Sequence, residues 1–305
     1  MNKILYDIKI FVVIVNYNGA EDSIECVESL LANGHKNIEI IIVDNNSDRT
    51  QKEKLKDKLS NSANLIYLND NLGFSAGNNV AIKEALKKNA EYILLLNNDT
   101  IVEKDFLTKL LTASENNVEL GITAPQINYY SNQNLIWSAG GYISKIRGSG
   151  FSRHENEADK GQVLRSYVDF VSGCCMLIKK EVFEKVGFLD EKYFLYLEDT
   201  DFCLRAINNG FKIYLVAGSN IYHKVNATTS RENSALPIYY TSRNRLYFSK
   251  KMLGKWYYAV LWYLYVTMLP KFILWYFKDQ KENIKAVKRA FKDFHNNLMG
   301  RAVGL

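Results

Sequence analysis

The 305-residue chain has four cysteines, and they form no framework. Cys174 and Cys175 are adjacent, Cys26 and Cys203 stand alone in helix-like segments, and no C-x-x-C pair occurs. That pattern excludes a zinc ribbon and a dithiol redox site; buried free thiols in a reducing compartment are expected instead. The N-terminus lacks the pattern of a secretory leader. Met1 to Lys9 carries charges throughout, and the apolar run Ile10 to Val15 ends at Asn16 without a cleavage site. Internal repeats and low-complexity segments are absent as well. With 47% hydrophobic and 24% charged residues the chain is not disordered, and its length admits one large α/β domain with an appendage. The net charge of +6 is modest but uneven: from Arg243 to Arg301 basic residues outnumber acidic ones and interleave with aromatics. A membrane surface or an anionic ligand suits that pattern, and no nucleic-acid partner is expected.

Apolar runs then alternate with amphipathic ones. Ile8 to Asn16, Ile38 to Val43, Asn64 to Leu68 and Tyr92 to Leu96 read as strands, the first two with the unbroken apolar character of strands buried on both faces. Glu21 to Ala32, Arg49 to Leu59 and Ala76 to Lys88 read as the helices between them. This alternation predicts an α/β fold with a mostly parallel, Rossmann-like central sheet. Tyr129 to Ser166 reads as an insertion or loop. Val168 to Lys179 is a strand candidate, Glu181 to Val186 and Asp199 to Asn209 are helices, and Lys212 to Tyr222 is a closing strand.

Each early strand ends in polar residues: Asn16-Tyr17-Asn18, Asp44-Asn45-Asn46, Asn69-Asp70-Asn71 and Asn97-Asn98-Asp99. Turn chemistry alone enriches Asn and Asp at such ends. Four successive ends of this kind favour a shared binding edge, because open α/β sheets bind ligands beyond the carboxyl ends of their strands. The sequons at Asn45 and Asn98 fall inside these motifs and read as chance. Asp99 closes an otherwise uncharged strand and offers an oxygen ligand to a hard cation such as Mg2+ or Mn2+. Asn97 and Asn98 offer neutral hydrogen bonds. Glu198-Asp199-Thr200-Asp201 crowds three carboxylates behind the aromatic run Tyr193 to Tyr196. Crowding and apolar neighbours raise proton affinity, as a general base requires, although an acidic helix N-cap has the same sequence.

These pieces resemble family 2 glycosyltransferases of the GT-A fold, in the branch of rhamnosyl- and galactofuranosyltransferases. The matching segments are VVIVNYNG (Val12 to Gly19), IIIVDNNSDR (Ile40 to Arg49), NLGFSAGNN (Asn71 to Asn79), YILLLNNDT (Tyr92 to Thr100), Phe170 to Ala206, and YYTSRNRL (Tyr239 to Leu246). The resemblance implies that Asn16, Tyr17 and Asp44 contact the nucleotide, and that Gly73 and Asn78 line the donor pocket. It places Asp99 at the metal-binding position of the DxD motif, whose first acidic position is Asn97 here. His223 ends the closing strand, where the resemblance implies the position of a third metal ligand; without the resemblance a structural histidine is the better reading. Asp199 becomes the catalytic base, with Glu198 and Asp201 as acceptor contacts or supports for it. Arg243 is expected to reach the donor diphosphate, and Trp137, beside the Gly-rich stretch Gly140 to Gly150, to face the acceptor; an exposed Arg and a buried Trp are the plainer alternatives.

The resemblance further implies an inverting, metal-dependent transfer of a sugar, L-rhamnose being favoured, from a dTDP- or UDP-linked donor to a glycan or lipid-linked glycan. A nucleotidyltransferase is disfavoured, since Asn16 to Gly19 has no basic residue nearby, and a non-catalytic scaffold is disfavoured by the intact Asp44, Asp99, Asp199 and His223. The catalytic domain is expected over 1–235, with a donor-binding half to about 125 and an acceptor-side half from about 126 to 235. The remainder, 236–305, is expected to be helical. Within it Trp256 to Phe277 is aromatic and apolar, but its uncharged part stops at Leu269, short of the ~20 residues that span a bilayer. An in-plane, membrane-associated helix at the inner face of the cell membrane is expected, with a helix packed on the core as the alternative.

Overall fold

The computed structural model describes residues 5–35, 37–225 and 235–302. Its first half is the alternation read above: β1 (Ile10–Asn16), α1 (Ala20–Leu31), β2 (Ile38–Asp44), α2 (Arg49–Leu59), β3 (Asn64–Tyr67), α3 (Gly73–Lys87) and β4 (Tyr92–Leu96). Then follow β5 (Thr100–Val102), α4 (Phe106–Glu115), β6 (Leu120–Tyr129), β7 (Ile136–Ser138), β8 (Gly141–Ser144), β9 (Ser149–Ser152), β10 (Ser166–Val168) and β11 (Cys175–Lys179). The catalytic half closes with α5 (Lys180–Val186), α6 (Glu198–Asn208) and β12 (Lys212–His223). Beyond 226–234, which adjoin the expected domain boundary and lie outside the described residues, come α7 (Ala235–Met252), α8 (Trp256–Phe277) and α9 (Lys281–His295).

The main sheet runs β10-β12-β6-β11-β4-β1-β2-β3, with β5 on β12 and β7 on β6. Strands β4, β1, β2 and β3 are mutually parallel, as are β6 and β12; β11 is antiparallel between β4 and β6. Alternation along β1 shows why both faces are covered. Ile10, Val12 and Ile14 join the core under α1, α2 and α4, while Phe11 and Val13 join the core under α3, α5 and α6. The parallel register sets Asn16 opposite Asp44, so the polar strand ends meet at one edge.

Two expectations change. The stretch 129–166 is not a loop: it holds β7 on the main sheet and the β8–β9 hairpin. The run 168–179 is not one strand either, because β10 ends at Val168 and β11 begins only at Cys175. All four cysteines are buried and free, as expected; burial pushes the Cys26 thiol up to about 12.

Helix α7 packs along α9 and carries α8 on its flank. Helix α8 continues through Pro270, so its 22 residues extend about 33 Å at ~1.5 Å per residue. By length and composition it is sufficient to cross a membrane. Val260, Leu264 and Trp275 are buried in it, whereas Tyr258, Trp262, Tyr265, Leu269, Ile273 and Phe277 are exposed. One side of α8 packs in a cluster with Tyr193, Leu246, Phe248 and Phe294, while most of its remaining apolar surface is exposed among the described residues.

Candidate active site

At the sheet edge the side chain of Asn16 is completely buried and fully engaged. Its Nδ2 donates to Asp44 Oδ2 (2.8 Å) and Ser47 Oγ (3.1 Å), and its Oδ1 accepts from Gly19 N (3.2 Å) and Ser23 Oγ (2.9 Å). No valence is left for a nucleotide, so Asn16 is a positioning residue that fixes the Asp44 carboxylate and the entry to α1. Asn98 is used likewise, its Nδ2 donating to the Gly19 carbonyl and Ser23 Oγ. Tyr17 stays half-exposed above this edge, and Tyr67, opposite Asp44 in register, is similarly exposed. Burial and the Asp44 charge raise the pKa of the Tyr67 phenol, an electrostatic link between the two that the sequence did not suggest.

Gly73 does allow a close backbone approach, but to protein. With φ at +82°, a Cβ there would stand 2.5 Å from the carbonyl oxygen of Phe194, which accepts a hydrogen bond from Phe74 N (2.8 Å). Asn78 is buried and spends its amide on the Phe74 carbonyl one turn back. Asn45, read in the sequence only as part of a polar strand end and a chance sequon, bridges β2 to the start of α3 by donating to Asn71 Oδ1 and the Gly73 carbonyl and accepting from Leu72 N.

The antiparallel pairing of β5 with β12 sets His223 opposite Thr100 and thereby beside Asp99. His223 Nε2 lies 3.0 Å from Asp99 Oδ1, and Trp137, on β7, packs edge-on against the imidazole at 4.5 Å between centroids. Trp137 thus supports the histidine and does not sit in a free acceptor loop. The donor set fits a hard divalent cation: adjacent octahedral ligands about 2.1 Å from a metal lie about 3 Å apart. His223 Nδ1 and Asn97 Oδ1 are buried without partners, two orphaned polar atoms around that pair. Among the described residues no group of three or more His, Cys, Asp or Glu gathers here.

Asp199 is the second residue of α6, whose first, Glu198, follows two residues in left-handed backbone, Tyr196 and Leu197, both at φ 70°. Neither is a glycine, and such conformations cost roughly 1–3 kcal/mol each. Asn244 on α7 holds them by donating to the Leu195 (2.7 Å) and Tyr196 (3.0 Å) carbonyls. The Asp199 carboxylate accepts from Gly173 N (3.0 Å), Thr200 N (2.6 Å) and Thr200 Oγ1 (3.2 Å). Burial still raises its pKa above the usual carboxylate range, against those bonds. Glu198 contrasts with it. Buried, with Oε2 unpartnered, it is pushed well above the usual carboxylate range by desolvation and then by the neighbouring Asp199 charge.

The break at Ser172 to Cys174 joins the two halves of the site. Cys174 O accepts from Asn97 N (2.9 Å) while the preceding Gly173 N donates to Asp199, so one dipeptide ties the Asn97-Asn98-Asp99 motif to the acidic motif. Two expected residues are not brought to it. Asp201 is fully buried between Arg205 Nε and Lys251 Nζ, both at 2.7 Å, and links α6 to α7 instead of meeting an acceptor. Arg243 is buried too. Its guanidinium donates to Tyr239 Oη, Asn244 Oδ1 and the carbonyls of Leu298 and Gly300, so it anchors the C-terminal segment and cannot serve a diphosphate without leaving them.

The family model described as glycosyl transferase family 2 matches residues 11–187. The chain belongs to this family. A dTDP-rhamnosyl transferase of Shigella flexneri is 29% identical, over 71% of this chain and 69% of its own length. A rhamnosyltransferase of Escherichia coli is 26% identical, over 70% of this chain and 83% of its own. Among solved structures, GalNAc-T7 with UDP, GalNAc and Mn2+ superposes with a TM-score of 0.59 at 19% identity, over 70% of this chain; this chain spans 43% of that one. At such identity the likeness shows the fold alone, the GT-A plan read from the sequence. The transferase thus has the family's fold, and its matched region covers the Asn97-Asn98-Asp99 motif and the Gly173 turn.

Proposed function

We propose that this transferase moves a sugar, L-rhamnose from dTDP-L-rhamnose being the favoured case, onto a glycan or lipid-linked glycan with inversion at the anomeric carbon. The observation that carries the reading is the Gly173-Cys174 link, which holds a cation-type ligand pair and a hydrogen-bonded carboxylate in one site. The two rhamnosyltransferase relatives support the choice of sugar. UDP-linked hexoses, GlcNAc and galactofuranose are the competing donors, and a screen of dTDP- and UDP-sugars by thermal shift with Mn2+ separates them.

In the reaction, Tyr17 and Tyr67 would flank the nucleobase beside Asp44, and Asp99 with His223 would hold a divalent cation. When bound, that ion offsets the negative charge developing on the departing diphosphate. Asp199 Oδ accepts the acceptor hydroxyl's proton as its oxygen bonds to the anomeric carbon and the bond to the diphosphate breaks. The environments of Asp199 and Glu198 divide the labour. Three donors favour the Asp199 anion, whereas Glu198 Oε2 has none among the described residues and burial pushes its pKa well above the usual carboxylate range.

Glu198→Gln, a neutral side chain of the same shape, is therefore expected to keep most of the turnover. It should also raise Tm near neutral pH. The Glu198 pKa is raised on folding, so between the ordinary and the raised values the folded state binds more protons than the unfolded one. Stability falls as pH rises through that window, and the Gln variant escapes the loss. Initial rates and melting curves at several pH values check this; a loss of turnover matching that of Asp199→Asn would refute it.

Helix α8 is proposed to lie in the plane of a membrane surface. It packs on α9, so an α8 crossing the bilayer would carry Lys281, Lys285, Lys288 and Lys292 into hydrocarbon. Its exposed Trp and Tyr suit the headgroup layer. Flotation with liposomes is expected to strengthen with anionic lipid and to be lost on replacing Trp262, Tyr265 and Phe277 by Ser; binding independent of lipid would contradict it.

A further inference from the structure

The loop that carries Asp199 runs from Asp190 into α6, beyond the stretch matched by the family model, and one face of α7 holds it at several points. Tyr240, Asn244, Tyr247 and Lys251 follow one another at helical spacing and so share that face. Tyr240 stacks on Phe194 with 5.4 Å between ring centroids. Asn244, completely buried, donates to the Leu195 and Tyr196 carbonyls. Tyr247 packs edge-on against Tyr193 at 5.1 Å and donates from Oη to Asp190 Oδ2 (2.8 Å). Lys251 donates to that same oxygen (2.8 Å) and to Asp201 Oδ1 (2.7 Å), so one ammonium ties the start of the loop to α6. Asp201 is completely buried, and without Lys251 it and Asp190 would lose the cation they share.

The loop needs such support. Tyr196 and Leu197 are left-handed without being glycines, and their course sets the direction in which α6 departs. Leu197 O accepts from Asp201 N (2.9 Å), which closes the first helical turn around Asp199. Relaxation at Tyr196 and Leu197 would therefore carry Asp199 away from Gly173 N, its tie to the donor half. Asp44 and Asp99 would not follow, because Asn16, Ser47 and His223 hold them from other elements. A displacement of about 1 Å in a reacting group costs about 10²-fold in rate. We propose that Asn244, Tyr247 and Lys251 are positioning residues for the base: through them α7 fixes Asp199 for proton transfer and leaves donor binding untouched. The proposal rests on the reading of Asp199 as the base and extends it to a helix outside the matched family region.

Two readouts on the full-length chain test this: release of dTDP from dTDP-L-rhamnose with Mn2+ and a lipid-linked glycan extract, and hydrogen exchange of the loop amides. Asn244→Asp keeps the shape and withdraws both donated bonds. It is expected to lower kcat about 10- to 100-fold, with the donor KM and the dTDP affinity unchanged. Lys251→Met should lower kcat in the same way, and Lys251→Arg, which keeps a cation between the carboxylates, should recover most of it. In Asn244→Asp and Lys251→Met the amides of 193–201 should exchange faster, while those of β1 and β2 keep wild-type rates. Tyr247→Phe keeps the ring against Tyr193 and deletes one hydrogen bond; a smaller loss of kcat is expected, and this variant decides the matter if Asn244→Asp does not fold. Wild-type kcat in all the variants, or a fall in dTDP affinity in step with kcat, would overturn the proposal. A wild-type chain that transfers nothing, while the loop amides still open in the variants, would overturn the reading of the reaction and leave the hold of α7 on the loop standing. Wild-type exchange in the variants would overturn that hold.

Discussion

Asp199→Asn is expected to lower sugar transfer by about 10²- to 10⁴-fold, the range a positioned general base contributes, with donor-nucleotide affinity nearly unchanged. The substitution preserves the side chain's shape but only one oxygen acceptor, so one of the Gly173 and Thr200 amides, which bond different carboxylate oxygens, keeps its partner and the other loses it. What is lost is the basic oxygen. The pH profile carries the same information. Burial raises the Asp199 pKa, so its base form is lost on acidification at a higher pH than for an exposed aspartate. Wild-type turnover should fall as pH drops through that raised value, and the residual rate of Asp199→Asn should show no such limb. Near-wild-type turnover in the variant would mean that another group takes the proton.

Asp99→Ala is expected to remove most of the metal-dependent part of donor binding, on the order of 10- to 100-fold in affinity, the scale seen even for outer-shell groups at metal sites. With Asp99 and His223 as the two proposed ligands, losing one would leave His223 alone to hold the ion against water. Without added metal, wild type and variant should bind the nucleotide equally, since Asp44, Tyr17 and Tyr67 are untouched. Calorimetric titration of dTDP with and without Mn2+ measures both arms. An unchanged affinity with Mn2+ present would refute the assignment of Asp99. His223→Ala should shift affinity in the same direction.

The donor-side framework was legible in the sequence because its signals are local. Apolar runs of strand length, separated by amphipathic segments, fix β1 to β4 and α1 to α3, and parallel register then brings Asn16 to Asp44 without further information. Asn16 illustrates where such reading stops. Its position was expected, but only the three-dimensional hydrogen-bond count reveals that it orients Asp44 and has nothing left for a ligand.

Residues that act across long separations gave no sign. Gly173 and Asn244 position the catalytic loop through bonds to segments distant in sequence, and neither stands out in composition or spacing. The left-handed Tyr196 and Leu197 were invisible for a related reason: positive φ is signalled by Gly or Asn, and here bulky residues are held there by tertiary contacts. In Glu198-Asp199-Thr200-Asp201 the charges look equivalent, yet helix phase sends Asp201 into the α6–α7 contact with Arg205 and Lys251. The arginines of YYTSRNRL divide likewise. Arg243 turns to the C-terminal carbonyls, whereas Arg245 Nε is buried without a partner among the described residues, a distinction that depends on which helices cover α7.

The most direct test of the account is to follow the nucleotide released when the purified chain meets dTDP-L-rhamnose, Mn2+ and a lipid-linked glycan extract. Acceptor-dependent release of free dTDP, abolished by chelation and by Asp199→Asn, is the predicted result. No acceptor-dependent release from any dTDP- or UDP-sugar, or pyrophosphate release from a sugar phosphate and a nucleoside triphosphate, would contradict it.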